Sequence, residues 1–564
     1  MTIPWWRDAV VYEIYVRSFA DASGDGVGDL AGIRRRLPYL RDLGVDAVWL
    51  TPFYPSPMAD GGYDVADYRG VDPLFGSLAD FEALVADAHE LGLRVLVDIV
   101  PNHSSAQHPW FQAALRGERR ERYLFRDRTN NWQSTFGGPA WTQVADGQWY
   151  LHLFAPEQPD FNWREPEVHE EFLDVLRFWL DRGVDGFRID VAMGLYKAED
   201  LPDLPAVDDQ AFGARSPVWG QPEVHEVYRS WRKLLDGYPG ERMAVGEVWT
   251  DDPEDLARYV RPDELHQSFN FAWLQAPWSA TAFRKVIDDT LTTVPFATWV
   301  LSNHDVVRHR TRYETADPGT GLARAKAALL AMLALPGSAY LYQGEELGLP
   351  EVKNLPPEAR QDPVFFQSEG KLPGRDGCRV PLPWETSGPS HGFSPGDARP
   401  WLPQPEEFGA LSVAAQTGDP ASTLEFYRAA LACRREVVED VPHAIEWLDS
   451  HEDALVFRRG SLVCALNCGT DAVRLPPHER VLLASGPLAD GAVAGGPAAG
   501  GPAASGPTVG GPTVGGPTVG GPTVGGPTVG GPTVGGPTVG GPLTGGVLPP
   551  DTAVWLQVAP GPVR

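Results

Sequence analysis

Short runs of β-branched and aromatic residues recur eight times between residues 10 and 342 of this chain, at 10–16, 47–50, 95–100, 186–190, 244–248, 268–271, 298–301 and 339–342. Between several of them the apolar residues return at helical spacing, as in 78–91, 167–182, 223–235 and 322–335. Strands that alternate with helices pair in parallel, because each helix carries the chain back along the sheet. Eight such units fit a closed TIM (β/α)8 barrel better than an open sheet. The expected fold class is therefore α/β, with any active site at the carboxyl ends of the strands.

Two connections are too long for plain βα loops. Residues 104–162, rich in Trp, Arg and Gly, read as an inserted domain that divides the barrel into 1–103 and 163–442. A second excursion, about 348–419, is full of Pro and Gly and reads as a loop subdomain. From about His443 the pattern changes to short strands without helices (454–458, 462–466, 480–483 and 553–558), which predicts a C-terminal antiparallel β domain over 443–564. Inside it the unit Gly-Pro-Thr-Val-Gly repeats from Gly506 to Gly540, flanked by looser sequence over about 491–546. Without bulky side chains this tract cannot build a core and is expected to be a disordered insertion, and its glycine period excludes collagen.

The net charge of −28 opposes phosphate backbones and anionic membranes, so no nucleic-acid or membrane partner is expected. No apolar run approaches the roughly 18 residues of a membrane span. The start, Met1-Thr-Ile-Pro-Trp-Trp, lacks the basic and apolar segments of a signal peptide, and a cytoplasmic location is expected. Cys378, Cys433, Cys464 and Cys468 form no CxxC pair and read as core thiols. The oligomeric state is left open.

Chemistry gathers where the predicted strands end. The third closes on Asp98-Ile-Val-Pro-Asn-His103, the fourth on Gly186-Phe-Arg-Ile-Asp190, the fifth on Gly246-Glu-Val-Trp249 and the seventh on Ser302-Asn-His-Asp305. Ionisable residues at equivalent ends of four strands point to one shared site. These segments, with 9–19, Gly62-Tyr-Asp64, Gln158-Pro-Asp-Phe-Asn162 and Gly344-Glu-Glu-Leu-Gly348, resemble the motifs of the α-amylase family, glycoside hydrolase family 13, in its oligo-1,6-glucosidase and α-glucosidase branch.

The resemblance implies a retaining exo-α-glucosidase that releases terminal α-linked glucose, α-1,4 or α-1,6, from a small α-glucoside or oligosaccharide. It assigns Asp190 as nucleophile, Glu247 as general acid/base and Asp305 as the third carboxylate. Two carboxyls flanking the scissile bond are what an oxocarbenium-like transition state requires. Arg188, two positions before Asp190 on the same strand face, can hold that carboxylate ionised. Glu247 must begin protonated, which calls for burial or nearby negative charge. His103 and His304 resemble donors that grip the same glucose, and Tyr63 belongs to the same substrate-binding set. Asp60, and Arg379 in Arg379-Val-Pro-Leu-Pro-Trp384, resemble the residues that close the far end of the glucose pocket.

Catalysis needs no cofactor. A structural Ca²⁺ is expected at Asp21, Ser23, Asp25, the Val27 carbonyl and Asp29, oxygen donors that alternate along a glycine-turned loop. At Met193 and Gly194, where many amylases carry Lys and His, the pattern departs from a second calcium site. Other outcomes use the same carboxylates: a trehalose synthase or sucrose isomerase type of transglycosylation, or trehalose-6-phosphate hydrolysis, which needs a cationic pocket. A non-catalytic binding module is a further class, but such chains lose the acidic triad, which is complete here.

Overall fold

The computed structural model describes residues 3–205, 216–250, 252–438, 442–488 and 546–559, so the Gly-Pro-Thr-Val-Gly repeat lies outside the described residues. In chain order come β1 (Val10–Ile14), β2 (Ala47–Leu50) and β3 (Arg94–Ile99), followed by three short strands, β4 (Phe125–Arg126), β5 (Trp141–Gln143) and β6 (Trp149–Leu151). Next are β7 (Gly186–Ile189), β8 (Met243–Gly246), β9 (Gln267–Ser268), β10 (Thr298–Val300) and β11 (Ser338–Tyr342). The last group is β12 (Glu446–Trp447), β13 (Ala454–Arg459), β14 (Leu462–Asn467), β15 (Val473–Arg474), β16 (Arg480–Ala484), β17 (Val547–Leu548) and β18 (Thr552–Gln557).

Eight strands form one parallel sheet in the order β10-β11-β1-β2-β3-β7-β8-β9. Its two edges meet where the Asn270 N–H donates to the Thr298 carbonyl at 3.1 Å, which nearly closes the cylinder as a TIM barrel. The run at 268–271 is shorter as a strand than its composition predicts. Asn270 caps a helix at once, its side chain accepting from Trp273 N, so Phe271–Gln275 turns helical. The helix Leu30–Leu43, not among the predicted helices, buries Leu30, Ile33, Leu37 and Leu40 at helical spacing and turns Arg34, Arg35 and the internal Pro38 outward.

Strand alternation sorts the side chains. Val10, Tyr12 and Ile14 of β1, Val95 and Val97 of β3, and Phe187 and Ile189 of β7 join the large outer core against the helices. Val11, Ala47, Trp49, Leu96, Met243, Val245, Val300 and Tyr340 fill the barrel interior. With a period of two, the next inward positions beyond Val11, Leu96 and Val245 are Glu13, Asp98 and Glu247. Apolar residues thus plug the floor while charged ones emerge at the top.

β12, β13, β14, β18 and β16 make an antiparallel C-terminal sheet. It packs on the helix Thr320–Ala334, with Trp555 Nε1 donating to Leu330 O at 2.9 Å and Arg459 Nη1 to Ala334 O at 2.8 Å. That helix is buried at every position over 327–334, as a helix covered on both sides must be. No helix among the described residues is long and apolar enough to cross a membrane.

The excursion between β3 and β7 carries the small sheet β4-β6-β5 over an aromatic cluster that includes Phe111, Tyr123, Tyr150 and Phe161. It is fastened to the barrel by Lys197, whose ammonium lies 2.6 Å from Asp160 Oδ2, 2.8 Å from Asn102 Oδ1 and 2.7 Å from Gly194 O. Three oxygens from the insertion, the end of β3 and the loop after β7 thus converge on one buried cation.

Candidate active site

Arg188 organises the mouth of the barrel. Its Nη1 contacts Asp190 Oδ1 at 2.5 Å and Asp98 Oδ1 at 3.0 Å, while Nη2 reaches Glu247 Oε2 at 2.7 Å. Asp98, named in the third strand-end motif but given no role there, is held in turn by Trp49 Nε1 at 3.1 Å and Tyr63 Oη at 3.0 Å. All of these charged groups are nearly buried. Burial pushes Asp98 up to about 7 against the pull of Arg188. Burial also raises Asp190 well above the ordinary carboxylate range, with Arg188 opposing and Glu247 and Asp98 adding to the rise.

Glu247 is fixed by three donors. Val191 N–H and Arg188 both reach Oε2, the former at 2.9 Å, while Trp249 Nε1 donates to Oε1 at 2.8 Å. The indole of Trp249 is itself stacked on Phe271 with centroids 3.9 Å apart. Val191 takes φ of 45°, a left-handed conformation costly for a β-branched residue, at the position that directs its N–H to Glu247.

Asp305 Oδ1 lies 2.8 Å from Arg379 Nη2 and 2.9 Å from Arg375 Nη1. Burial would raise this carboxyl, but His304, then Arg375 and Arg379, hold it well below the ordinary range. His103 Nε2 sits 3.1 Å from both the Tyr63 carbonyl and Gln158 Nε2, and burial holds its ring down to about 4, so it is neutral. Asp60 Oδ2 accepts from Gln158 Nε2 at 3.1 Å.

Asp60 and Arg379, the two residues expected to close the far end of the pocket, take different partners. Asp60 Oδ1 pairs with Arg375 Nη2 at 2.5 Å, and Arg375 also holds Asp362 at 2.8 Å, whereas Arg379 belongs to Asp305 and the His304 carbonyl. Both arginines lie in one irregular stretch, where no periodicity tells which one faces which carboxylate. Asp98 and Glu13, charged residues inside apolar strand runs, were detectable by that anomaly. Arg375 carried no such signal.

The 21–29 loop leads into the helix Leu30–Leu43. Asp21 accepts from Gly24 N at 2.7 Å and Gly26 N at 2.8 Å, and Asp29 from Ala22 N and Ser23 N at 2.9 Å and Gly32 N at 2.6 Å. Asp25 accepts from Val27 N at 2.9 Å. Among the described residues no three His, Cys, Asp or Glu side chains gather closely enough to hold a metal by themselves. Beside Met193 and Gly194, the Lys197 ammonium donates to the Gly194 carbonyl at 2.7 Å.

Residues 13–440 match the alpha amylase catalytic domain. The chain belongs to the α-amylase family of glycoside hydrolases. It is 41% identical over 503 residues to a probable alpha-glucosidase of Rhizobium meliloti, covering 83% of this chain and 90% of that one. An oligo-1,6-glucosidase of Parageobacillus thermoglucosidasius is 34% identical, covering 77% of this chain and 84% of that one. Among solved structures the alpha-glucosyl transfer enzyme XgtA superposes with a TM-score of 0.79 at 40% identity, covering 85% of this chain and 94% of that one. The members of this family share the barrel, and the chemistry of this one is set by the groups around Arg188.

Proposed function

We propose that this chain is a retaining exo-α-glucosidase in which Asp190 attacks the anomeric carbon and Glu247 transfers the proton. The observation that carries the reading is the single guanidinium of Arg188 clamped between both carboxyls. One fork holding two acceptors favours the roughly 5 Å separation of a retaining pair over the wider gap that an inverting enzyme needs for its water. Glu247 Oε2 takes two donors, Val191 N–H and Arg188, whereas Oε1 takes only Trp249 Nε1–H and keeps a second lone pair, so Oε1 is the oxygen that delivers the proton to the leaving group. The departing aglycone gives way to water, Glu247 removes the water's proton, and the glycosyl–Asp190 ester is hydrolysed with net retention. Asp305, kept ionised by two arginines, binds sugar hydroxyls and stabilises the developing positive charge.

Exo specificity follows from Arg375 and Asp60. Their ion pair, tied to Asp305 and Asp362, walls one side of the pocket beside Phe136, with the guanidinium carbon 4.9 Å from that ring. A terminal glucose can bond this pair through its free 4-hydroxyl, and substitution of that hydroxyl leaves buried charges without partners. A maltooligosaccharide blocked at its non-reducing 4- and 6-hydroxyls should therefore resist, while the unblocked chain releases glucose one unit at a time. Internal cleavage of the blocked substrate at a comparable rate, seen by chromatography of the products, would refute the closed pocket.

Transfer to a sugar acceptor uses the same intermediate, and the likeness to an alpha-glucosyl transfer enzyme favours it as the second reading. Product analysis with maltose, isomaltose, sucrose and trehalose side by side separates hydrolysis from transfer. A phosphorylated sugar is less well served, because Arg188, Arg375 and Arg379 are each already paired with carboxylates.

The 21–29 loop fits a structural Ca²⁺. Each carboxylate oxygen has two lone pairs, so oxygens of Asp21, Asp25 and Asp29 that take one N–H retain acceptor capacity, alongside the Ser23 hydroxyl and the Val27 carbonyl. A bound ion would stabilise the folded state by mass action without entering the chemistry. Thorough chelation should lower the melting temperature, calcium return should restore it, and low-temperature activity should stay constant. A melting temperature indifferent to both treatments removes this site.

A further inference from the structure

Glu13 stands next to the carboxyl end of β1 and is 1% exposed, yet neither Asp190 nor Glu247 is among its hydrogen-bond or ion-pair partners. Its Oε1 lies 2.5 Å from His304 Nδ1 and also accepts the His304 backbone N–H at 3.3 Å. The imidazole is fully buried and stacks on Tyr63 (5.2 Å, 7°) and on Tyr15 (5.7 Å, 18°), so it cannot turn. Its other nitrogen, Nε2, makes no hydrogen bond among the described residues and faces Asp305 Oδ2 at 3.4 Å. The remaining charged groups around the pair are Asp98, Arg188, Arg375 and Arg379.

We propose that Glu13 is a positioning residue that keeps a hydrogen on His304 Nε2, so that this nitrogen donates to a sugar hydroxyl also held by Asp305. The proposal rests on the α-glucosidase reading for the identity of that ligand. A contact of 2.5 Å between a carboxyl oxygen and a ring nitrogen contains one proton. With the proton on Glu13, the ring is neutral and its hydrogen sits on Nε2. With the proton on Nδ1, the ring is an imidazolium between two carboxylates and Nε2 again carries hydrogen. The remaining arrangement, an ionised Glu13 accepting from Nδ1–H of a neutral ring, would turn a bare Nε2 lone pair on the Asp305 carboxylate oxygen 3.4 Å away; that repulsion, and burial that disfavours charge, select the first arrangement.

Glutamine in place of Glu13 would reverse the tautomer. Its carbonyl oxygen, facing the His304 N–H, can only accept, which draws the ring hydrogen to Nδ1. Nε2 then turns a bare lone pair toward the Asp305 carboxylate and cannot donate to substrate. The opposite amide orientation would set its NH2 against the His304 N–H.

The test uses the full-length enzyme. The one-dimensional proton spectrum of the ligand-free protein at neutral pH should contain a resonance far downfield of the amide region, from the shared proton, absent in both Glu13→Gln and His304→Asn. On an aryl α-glucoside, Glu13→Gln should lower kcat/KM roughly 10- to 100-fold, the cost of leaving a buried sugar hydroxyl facing a lone pair in place of its donor. In a His304→Asn background the same change should matter by less than about twofold, because the two residues act as one unit. Absence of the downfield proton from the wild type, wild-type kcat/KM in Glu13→Gln, or multiplicative losses in the double variant would each overturn the proposal. If Glu13→Gln does not fold, the wild-type and His304→Asn spectra decide. The spectrum needs no turnover: an enzyme inactive on α-glucosides that still shows the proton faults the glycosidase reading, whereas an active one without it faults this inference.

Discussion

Turnover of an aryl α-glucoside by Asp190→Ala is expected to fall by about ten-thousand-fold or more, while the protein remains folded. The loss follows from removing the proposed nucleophile. The preserved fold follows from electrostatics, because Asp98, Asp190 and Glu247 crowd one guanidinium, and deleting a carboxyl relieves that crowding. Asp190 has its folded-state pKa raised by burial. Its contribution to stability is fully present below the ordinary carboxylate value and is lost as pH rises through the folded value. The melting temperature of Asp190→Ala should therefore gain on the wild type as pH rises from acid to neutral. Glu247→Ala should behave differently: azide should partly restore turnover of a substrate with a good leaving group and give the β-glucosyl azide, since the glycosyl–Asp190 intermediate still forms. An Asp190→Ala enzyme within tenfold of wild type would end the assignment.

The largest effect on stability should come from Lys197→Met, at about 3–5 kcal/mol. The ammonium is 1% exposed and Asp160 is wholly buried, so a methionine of similar length fills the space but leaves a buried carboxylate facing Asn102 and Leu153 without its counter-charge. Since Lys197 joins the insertion, the end of β3 and the loop after β7, its loss should also loosen the wall that carries His103 and Gln158, and activity should fail at a lower temperature than in the wild type. Lys197→Met/Asp160→Asn should recover much of the loss, because the amide needs no cation. Thermal unfolding of the three variants beside the wild type checks this. A single variant as stable as the wild type would show that the ion pair does not fasten the insertion.

The barrel was legible because each strand is a short apolar run whose chemistry changes only at its carboxyl end. A period of two is a local property, so the shared face of Arg188 and Asp190, and the inward parity of Glu13, Asp98 and Glu247, can be read from sequence alone. The ordered strand-end motifs place the three carboxylates at one mouth. What remained out of reach was partnership between segments far apart in the chain. Asp60 meets Arg375 across 315 positions and Glu13 meets His304 across 291. Lys197 lies in an unremarkable stretch after Asp190, and only the docking of the insertion shows that its ammonium gathers three oxygens. Residue type and spacing determine which groups a strand or loop can offer. Which carboxylate each arginine satisfies is decided by the closure of the barrel and the packing of its loops, because burial makes every unpaired charge costly and the tertiary structure alone brings the partners within reach.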